Sequence, residues 1–495
     1  MKIVIIGAGV SGLAAGIYAR RQGFDCEIYE QHSIAGGECT YWKRQGYTID
    51  NCVHWMTGTN PSSELYGVWE EVGVLGNDKE VIQNESFLHV ECPEGQMDLW
   101  EDEERLRQDM LAISPEDKDA IEEFVLAIRL YKDFELPAKK PMEQMSLLEI
   151  FRMLRRFRKL GKVHGKYALM PMPTLADKFK HPLLKKAILA YMPDFYNASS
   201  FFYVLGTFDS GNGALPKGGS AAISDNMLKT YLDLGGKIFY RKKASRFNIE
   251  KKRAVSVSFE DGTTVGADYF VAACDASVTF HKLLPESHLD KYFRTHFSLR
   301  KLYPTYSSFN VYIGVDGDTS FLTDTTWLEC EPYFTLGKQQ DSFLLKSYAT
   351  EPGFSPEGKN LLQVLIKQYE PDFEQWRDLY LNHRESYREE KRHIAESVVK
   401  RLEEHYPQLK GKLTVVETVS PYSFHRFCGA YMGAYMSFIL TPYARKKSHH
   451  GKVRKVKNIF LGGQWLQPPG GLPNAVVTGK FAIQRICKKA GIKFV

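Results

Sequence analysis

The stretch that most restricts what this chain can fold into is residues 2–30. Ile3-Val4-Ile5-Ile6 reads as a buried parallel strand, and Gly7-Ala8-Gly9-Val10-Ser11-Gly12 follows it without a gap. A helix is predicted over 13–22, stopping at Gly23, and a second strand over 26–29 delivers Glu30, eighteen residues after Gly12. Gly7, Gly9 and Gly12 fill the three places where a pyrophosphate needs a tight turn, bare backbone and close helix packing. The helix N-terminus favours an anion through its partial positive charge and unpaired N–H groups. Glu30 is placed to accept hydrogen bonds from ribose hydroxyls, and its charge disfavours NADP at this site.

A glycine turn alone leaves NAD and FAD open. A second pair, Gly36-Gly37, follows so soon after Glu30 that another backbone segment can approach the same pyrophosphate, which fits the longer FAD better.

At 495 residues the chain exceeds one ordinary core, so two or three domains are expected. The eight cysteines are scattered without C-x-x-C spacing, which argues against metal sites and disulfides and for a reducing compartment. With the first strand starting at residue 2, a cytoplasmic location is expected. Residues 427–444 carry no charge, but Gly429, Gly433 and Pro442 interrupt the apolarity a spanning helix needs, so no transmembrane segment is predicted.

The net charge of +6 is unevenly spread. Residues 139–190 hold thirteen Lys/Arg against Glu143, Glu149 and Asp177. Within them a helix over 147–160 has Leu147, Leu148, Ile150, Phe151, Leu154, Phe157 and Leu160 on one face and arginines on the other. Such a helix suits an anionic membrane surface, the cytoplasmic membrane here, and equally an ordinary docked surface helix; no nucleic-acid motif accompanies it.

Residues 60–136 read as helical, with a helix start at Ser114-Pro115-Glu116-Asp117. After a turn at 212–220 come a helix, strands at 237–240, 254–259 and 269–273, and a hairpin at Asp261-Gly262. Antiparallel strands are predicted at 306–314, 342–348 and 361–366, a charged helix at 389–404, a strand at 458–461 and a closing helix at 475–489. The expected fold is α/β: a Rossmann-like dinucleotide domain, a parallel sheet with a β-meander, built from 1–60, 212–285 and 450–495. An inserted α+β substrate domain takes 61–211 and 286–449.

Three of these stretches carry one resemblance. The Gly7–Leu13 turn with Glu30 and Gly36-Gly37, then Pro216-Lys217-Gly218-Gly219 with its helix and hairpin, then 458–479 together resemble the phytoene desaturase, carotenoid isomerase and retinol saturase family of flavoproteins, within the wider amine-oxidase-like FAD fold. Segment 36–58 is most similar to the retinol saturase branch, and Pro421-Tyr422-Ser423-Phe424-His425-Arg426-Phe427 also resembles the family. The resemblance implies FAD. Gly7, Gly9, Ser11, Gly12, Gly37 and Gly463 would adjoin its pyrophosphate, Glu30 the adenosine ribose, Ala244 the adenine, and Gly471, Leu472 and Pro473 the flavin ring. Glu38 departs from the arginine of many relatives, leaving Lys43 or Arg44 to neutralise the pyrophosphate, and Pro469 departs from the glycine run before Leu472.

The implied activity is FAD-dependent saturation, desaturation or isomerisation of carbon–carbon bonds in a lipophilic isoprenoid or polyene such as a carotenoid or retinoid. The protein then supplies orientation and an apolar tunnel. Phe201-Phe202-Tyr203-Val204-Leu205 and Tyr431-Met432-Gly433-Ala434-Tyr435-Met436 are candidate linings, with His54 the first acid–base candidate and His425 the second. No second strand–GxGxxG–helix unit occurs, so electrons would pass to or from docked NAD(P)H, a quinone, oxygen or a small carrier. Two alternatives share the fold: a flavin amine oxidase, to which Trp465 would contribute an aromatic wall, and a non-enzymatic lipid-binding protein like the Rab GDP-dissociation inhibitors.

Overall fold

The structure, a computed structural model, describes residues 1–444 and 447–495. Arg445 and Lys446, within the expected substrate segment, lie outside the described residues, as do the side chains of Lys159 and Lys162 from the basic stretch.

The first thirty residues fold as their pattern dictates. Strand Lys2–Ile6 leads through the glycine turn into helix Val10–Arg21 and on to strand Asp25–Tyr29. These strands are central in a five-stranded parallel sheet ordered Lys237–Phe239, Asp25–Tyr29, Lys2–Ile6, Tyr269–Ala272, Ile459–Leu461. Ile3, Val4 and Ile5 are fully buried because helices cover one face and other elements the second, which is what parallel sheets require. Helix Val10–Arg21 packs on the C-terminal helix Gly471–Ala490 at Gly479, where an added Cβ would lie 2.3 Å from the Ser11 carbonyl oxygen. The meander Ala244–Glu250, Arg253–Phe259, Thr264–Gly266 covers the opposite face, with Phe247 and Phe270 rings 5.7 Å apart. The fold class is the expected one.

A second sheet has seven strands, ordered Leu413–Val419, Tyr306–Asp316, Lys359–Tyr369, Lys338–Ser347, Thr325–Thr335, Ser86–Cys92, Gly95–Trp100. Its last two strands correct the helical reading of 60–136. They form a hairpin whose buried residues Leu88, Val90, Met97 and Leu99 repeat with period two, and it joins the sheet in parallel through Thr326↔His89. Near residue 114 the helix begins through a tighter turn, Pro115–Asp117, and Ser114 Oγ donates to Asp117 at 2.9 Å instead of capping the backbone.

The helix expected over 147–160 is two, Leu147–Arg156 and Arg158–Ala168, broken where Phe157 packs against Phe134 with ring centroids 5.3 Å apart. On the first, Leu147, Leu148, Phe151 and Leu154 are 87 %, 56 %, 62 % and 61 % exposed. Among the described residues no helix is long and apolar enough to cross a membrane; the uncharged stretch 427–444 is mostly irregular after helix Pro421–Cys428 ends.

Candidate functional site

Gly7, Gly9, Ser11, Glu30, Gly37, Ala244, Gly463, Gly471, Leu472, Pro473, His54 and His425 line one cavity of about 1730 Å³ that runs from the carboxyl ends of the parallel strands to the face of the seven-stranded sheet, and Gly12 does not. Gly12 lies behind the wall and sets it: a Cβ there would stand 1.9 Å from the Gly7 carbonyl oxygen, so only glycine lets the helix close on the turn. Gly9 and Gly36 form a parallel bridge, bringing the two glycine loops side by side.

Glu30 is fixed before any ligand arrives. Its two carboxylate oxygens accept the backbone N–H groups of Ala8 at 2.7 Å and His32 at 2.8 Å, leaving further lone pairs on a carboxylate that lines the cavity. Ala244, first residue of its strand, lines the same end, held near by the Lys242 N–H donating to the Glu30 carbonyl at 2.8 Å.

Two observations test whether this trough fits a dinucleotide. The Ser11 hydroxyl, in the first turn of helix Val10–Arg21, lines the cavity, is buried and among the described residues has no hydrogen-bond partner, an orphaned donor where a phosphate oxygen is wanted. Gly463 holds φ of +130° with nothing within 4 Å of a built Cβ, so its backbone borders open cavity. The residues fit FAD: Gly7, Gly9, Ser11, Gly37 and Gly463 would hold the pyrophosphate and Glu30 the ribose.

Glu38 is tied to the opposite loop, accepting from the Gln464 side-chain amide at 2.7 Å. Burial, reinforced by Asp275, pushes its pKa up to about 8. The expected substitutes do not take the missing arginine's place. Neither Lys43 nor Arg44 lines the cavity; both lie on the exposed hairpin strand Tyr41–Arg44, where Arg44 pairs with Glu417 at 3.5 Å.

At the next segment, Gly471, Leu472 and Pro473 form the first turn of the C-terminal helix and face Met436, whose sulfur is 3.5 Å from a Cβ built on Gly471. Beyond them, at the seven-stranded sheet, Leu344, Leu365, Tyr435 and His54 wall a chamber of the same cavity. The expected linings divide. Phe201 and Phe202 are fully buried in the helical core, whereas Tyr203 and Val204 reach the cavity; Tyr435 and Met436 reach it too, as does Trp465.

The two histidines have separate surroundings. His54 lies 3.3 Å from Gln363 Oε1, and burial together with the Lys346 ammonium pushes its pKa down to about 3, so its ring is neutral at neutral pH. His425 sits 3.0 Å from the Ala430 carbonyl and stacks on Tyr422 at 5.7 Å. Sequence reasoning missed Tyr191, Tyr196, Tyr306 and Lys367, which also line the chamber. They come from one loop, 191–197, and two strands, and no motif marks them.

Comparisons with known proteins agree with this geometry. The chain is 24 % identical to a prolycopene isomerase of Daucus carota over 99 % of its length and 80 % of the relative's. It is 23 % identical to a lycopene-forming phytoene desaturase of Pseudescherichia vulneris, covering 97 % of each chain. To an all-trans-retinol 13,14-reductase of Danio rerio it is 22 % identical, covering 98 % of this chain and 86 % of that one. Its fold is similar to that of a putrescine oxidase solved with putrescine bound, with a TM-score of 0.59, 13 % identity and 99 % of each chain covered. The model of the family described as "Flavin containing amine oxidoreductase" matches residues 10–487. A match that runs nearly end to end, over a chain whose glycine turn, Glu30 and C-terminal helix converge on one trough, shows that this chain belongs to the flavin containing amine oxidoreductase family.

Proposed function

We propose that this protein uses FAD to saturate, desaturate or isomerise a carbon–carbon bond of a lipophilic isoprenoid or polyene. The supporting observation is the single cavity: at about 1730 Å³ it exceeds the roughly 300–1,000 Å³ of ordinary ligand pockets, so a dinucleotide in the trough leaves the chamber beside Leu472 for a second, elongated ligand. Bound FAD supplies hydride or electron transfer. The chain's residues bind and orient: Leu344, Leu365 and Met436 exclude water from the chamber, and the neutral His54 ring offers a hydrogen-bonding group in its wall. The relatives, a prolycopene isomerase, a phytoene desaturase and an all-trans-retinol 13,14-reductase, support the same substrate class.

The absorption spectrum of the purified protein tests this, taken before and after anaerobic addition of NADH or NADPH. Flavin bands that bleach support a nicotinamide-fed reductase or isomerase. Bands that persist point to a quinone- or oxygen-coupled desaturase. Peroxide release with amines would favour the amine oxidase alternative, and a colourless protein that cannot take up FAD would favour lipid binding.

We also propose that helix Leu147–Arg156 lies in a membrane surface. Leu147, Leu148, Phe151 and Leu154 are its exposed apolar face, and Phe134, Pro137 and Met142 just before it line the cavity. A lipophile leaving the bilayer there would pass directly into the chamber.

A further inference from the structure

The chamber is not uniformly apolar. On strand Lys359–Tyr369, Lys367 stands two residues beyond Leu365 on the same sheet face, and both line the cavity. The Lys367 ammonium donates one hydrogen bond, to the Ala190 carbonyl at 2.9 Å, and among the described residues no carboxylate lies within ion-pair distance of it. Burial lowers its pKa to about 8, against the opposing charge of Asp194, exposed on a neighbouring loop. A cation held in a protein interior without a counter-ion is costly, and the interior normally supplies a partner. The cavity wall it shares carries a set of neutral phenols, of which Tyr306 lies on the same sheet face one pair further along. The Tyr196 and Tyr306 rings are 5.9 Å apart, Tyr306 and Tyr435 are 4.9 Å apart, and Trp55 Nε1 donates to Tyr191 at 3.2 Å. Burial drives the pKa of Tyr191, Tyr196, Tyr306 and Tyr435 upward, so all four keep their protons.

We propose that this end of the chamber holds the carboxylate of a lipophilic substrate: Lys367 supplies the counter-charge, and the phenols of Tyr196, Tyr306 and Tyr435 supply hydrogen bonds. The inference rests on reading the chamber as a lipophile site and deepens it, since a pure hydrocarbon would offer the buried ammonium no anionic partner in the chamber. Hydrogen bonds assisted by charge are roughly twice as strong as neutral ones, which makes the acid the favoured end group over an alcohol or aldehyde.

The test uses the flavin-loaded full chain and a matched series of conjugated isoprenoids ending in a carboxylate, an aldehyde, an alcohol or a hydrocarbon. Affinity is read from quenching of tryptophan fluorescence. The acid should bind roughly tenfold or more tightly than the alcohol and the hydrocarbon. Lys367→Met should abolish that preference while hydrocarbon affinity and flavin content stay as they were, Lys367→Arg should retain most of it, and Tyr306→Phe should weaken the acid alone. Equal affinity across the series, or an acid preference that survives both Lys367→Met and Tyr306→Phe, overturns the assignment while the lipophile reading stands. Failure of every member to bind overturns both.

Discussion

Gln464 donates from its side-chain amide to Glu38 at 2.7 Å and accepts the Gly471 N–H on its side-chain oxygen at 2.8 Å. One side chain therefore ties the loop after the second glycine pair to the first turn of the C-terminal helix. These segments are more than four hundred residues apart in sequence, and both border the cavity. Replacing Gln464 by Leu keeps the volume but leaves the Gly471 N–H and Glu38 without their partner. It should cost about 1–3 kcal/mol and loosen flavin binding, read as a lower melting temperature and a lower flavin-to-protein ratio.

Glu38 itself is held at a disadvantage. Its folded pKa, about 8, lies above the ordinary 4.5, so the folded state binds the extra proton across that interval. Its burial is harmless below about pH 4.5, and stability falls as pH rises from there to about 8. Glu38→Gln keeps a partner for Gln464 and removes the titration, so its melting temperature relative to the parent should rise steadily between those pH values. A difference that does not change with pH would refute this account.

Gly9 has φ of −71° and ψ of 177°, a conformation open to any residue. Gly9→Val should therefore fold, but its branched side chain would project into the space where the backbone must approach a pyrophosphate. Flavin content should fall at least about tenfold with little change in circular dichroism. A Gly9→Val protein that purified yellow would show that the pyrophosphate lies elsewhere.

On the hairpin of strands Ser86–Cys92 and Gly95–Trp100, His89 sits 3.0 Å from Asp98 and 3.4 Å from Glu91. Burial opposes its charge, but the hydrogen bonds to both carboxylates outweigh it and raise its pKa to about 9. Its contribution is complete below the unfolded value near 6.5 and is lost as pH rises through 9. His89→Gln should lower stability by on the order of 1 kcal/mol at pH 6 and by progressively less above pH 7, converging with the parent beyond pH 9. Urea unfolding at a series of pH values measures it.

For the membrane surface, replacing Phe151 and Leu154 by serine removes two large apolar side chains, each contributing about 1.5–3 kcal/mol when fully buried in lipid. Sedimentation with anionic vesicles should drop more than about tenfold while flavin content stays constant. Unchanged sedimentation would rule out this helix as the contact.

The nucleotide cradle was legible in the sequence because its parts are local: strand, turn, helix, strand and Glu30 fall within thirty consecutive residues, and chain geometry alone brings them together. The period-two hairpin at 86–100 was hidden by the helical pattern around it, because its partner strand Thr325–Thr335 lies more than two hundred residues away. Which cation would balance the pyrophosphate was equally out of reach: Arg44 was near in sequence, yet the fold turns it toward Glu417. The polar end of the chamber depends on long-range register. Lys367 faces Tyr306 only because Ser308 pairs with Lys367 and Tyr306 with Tyr369 across two antiparallel strands, and Tyr196 and Tyr435 arrive on separate loops. The sequence by itself determined the strand–turn–helix cradle that fits a dinucleotide, because local backbone sterics and a helix N-terminus suffice for that. Tertiary structure alone decided what faces the chamber, because strand pairing and packing between distant segments choose which side chains share it.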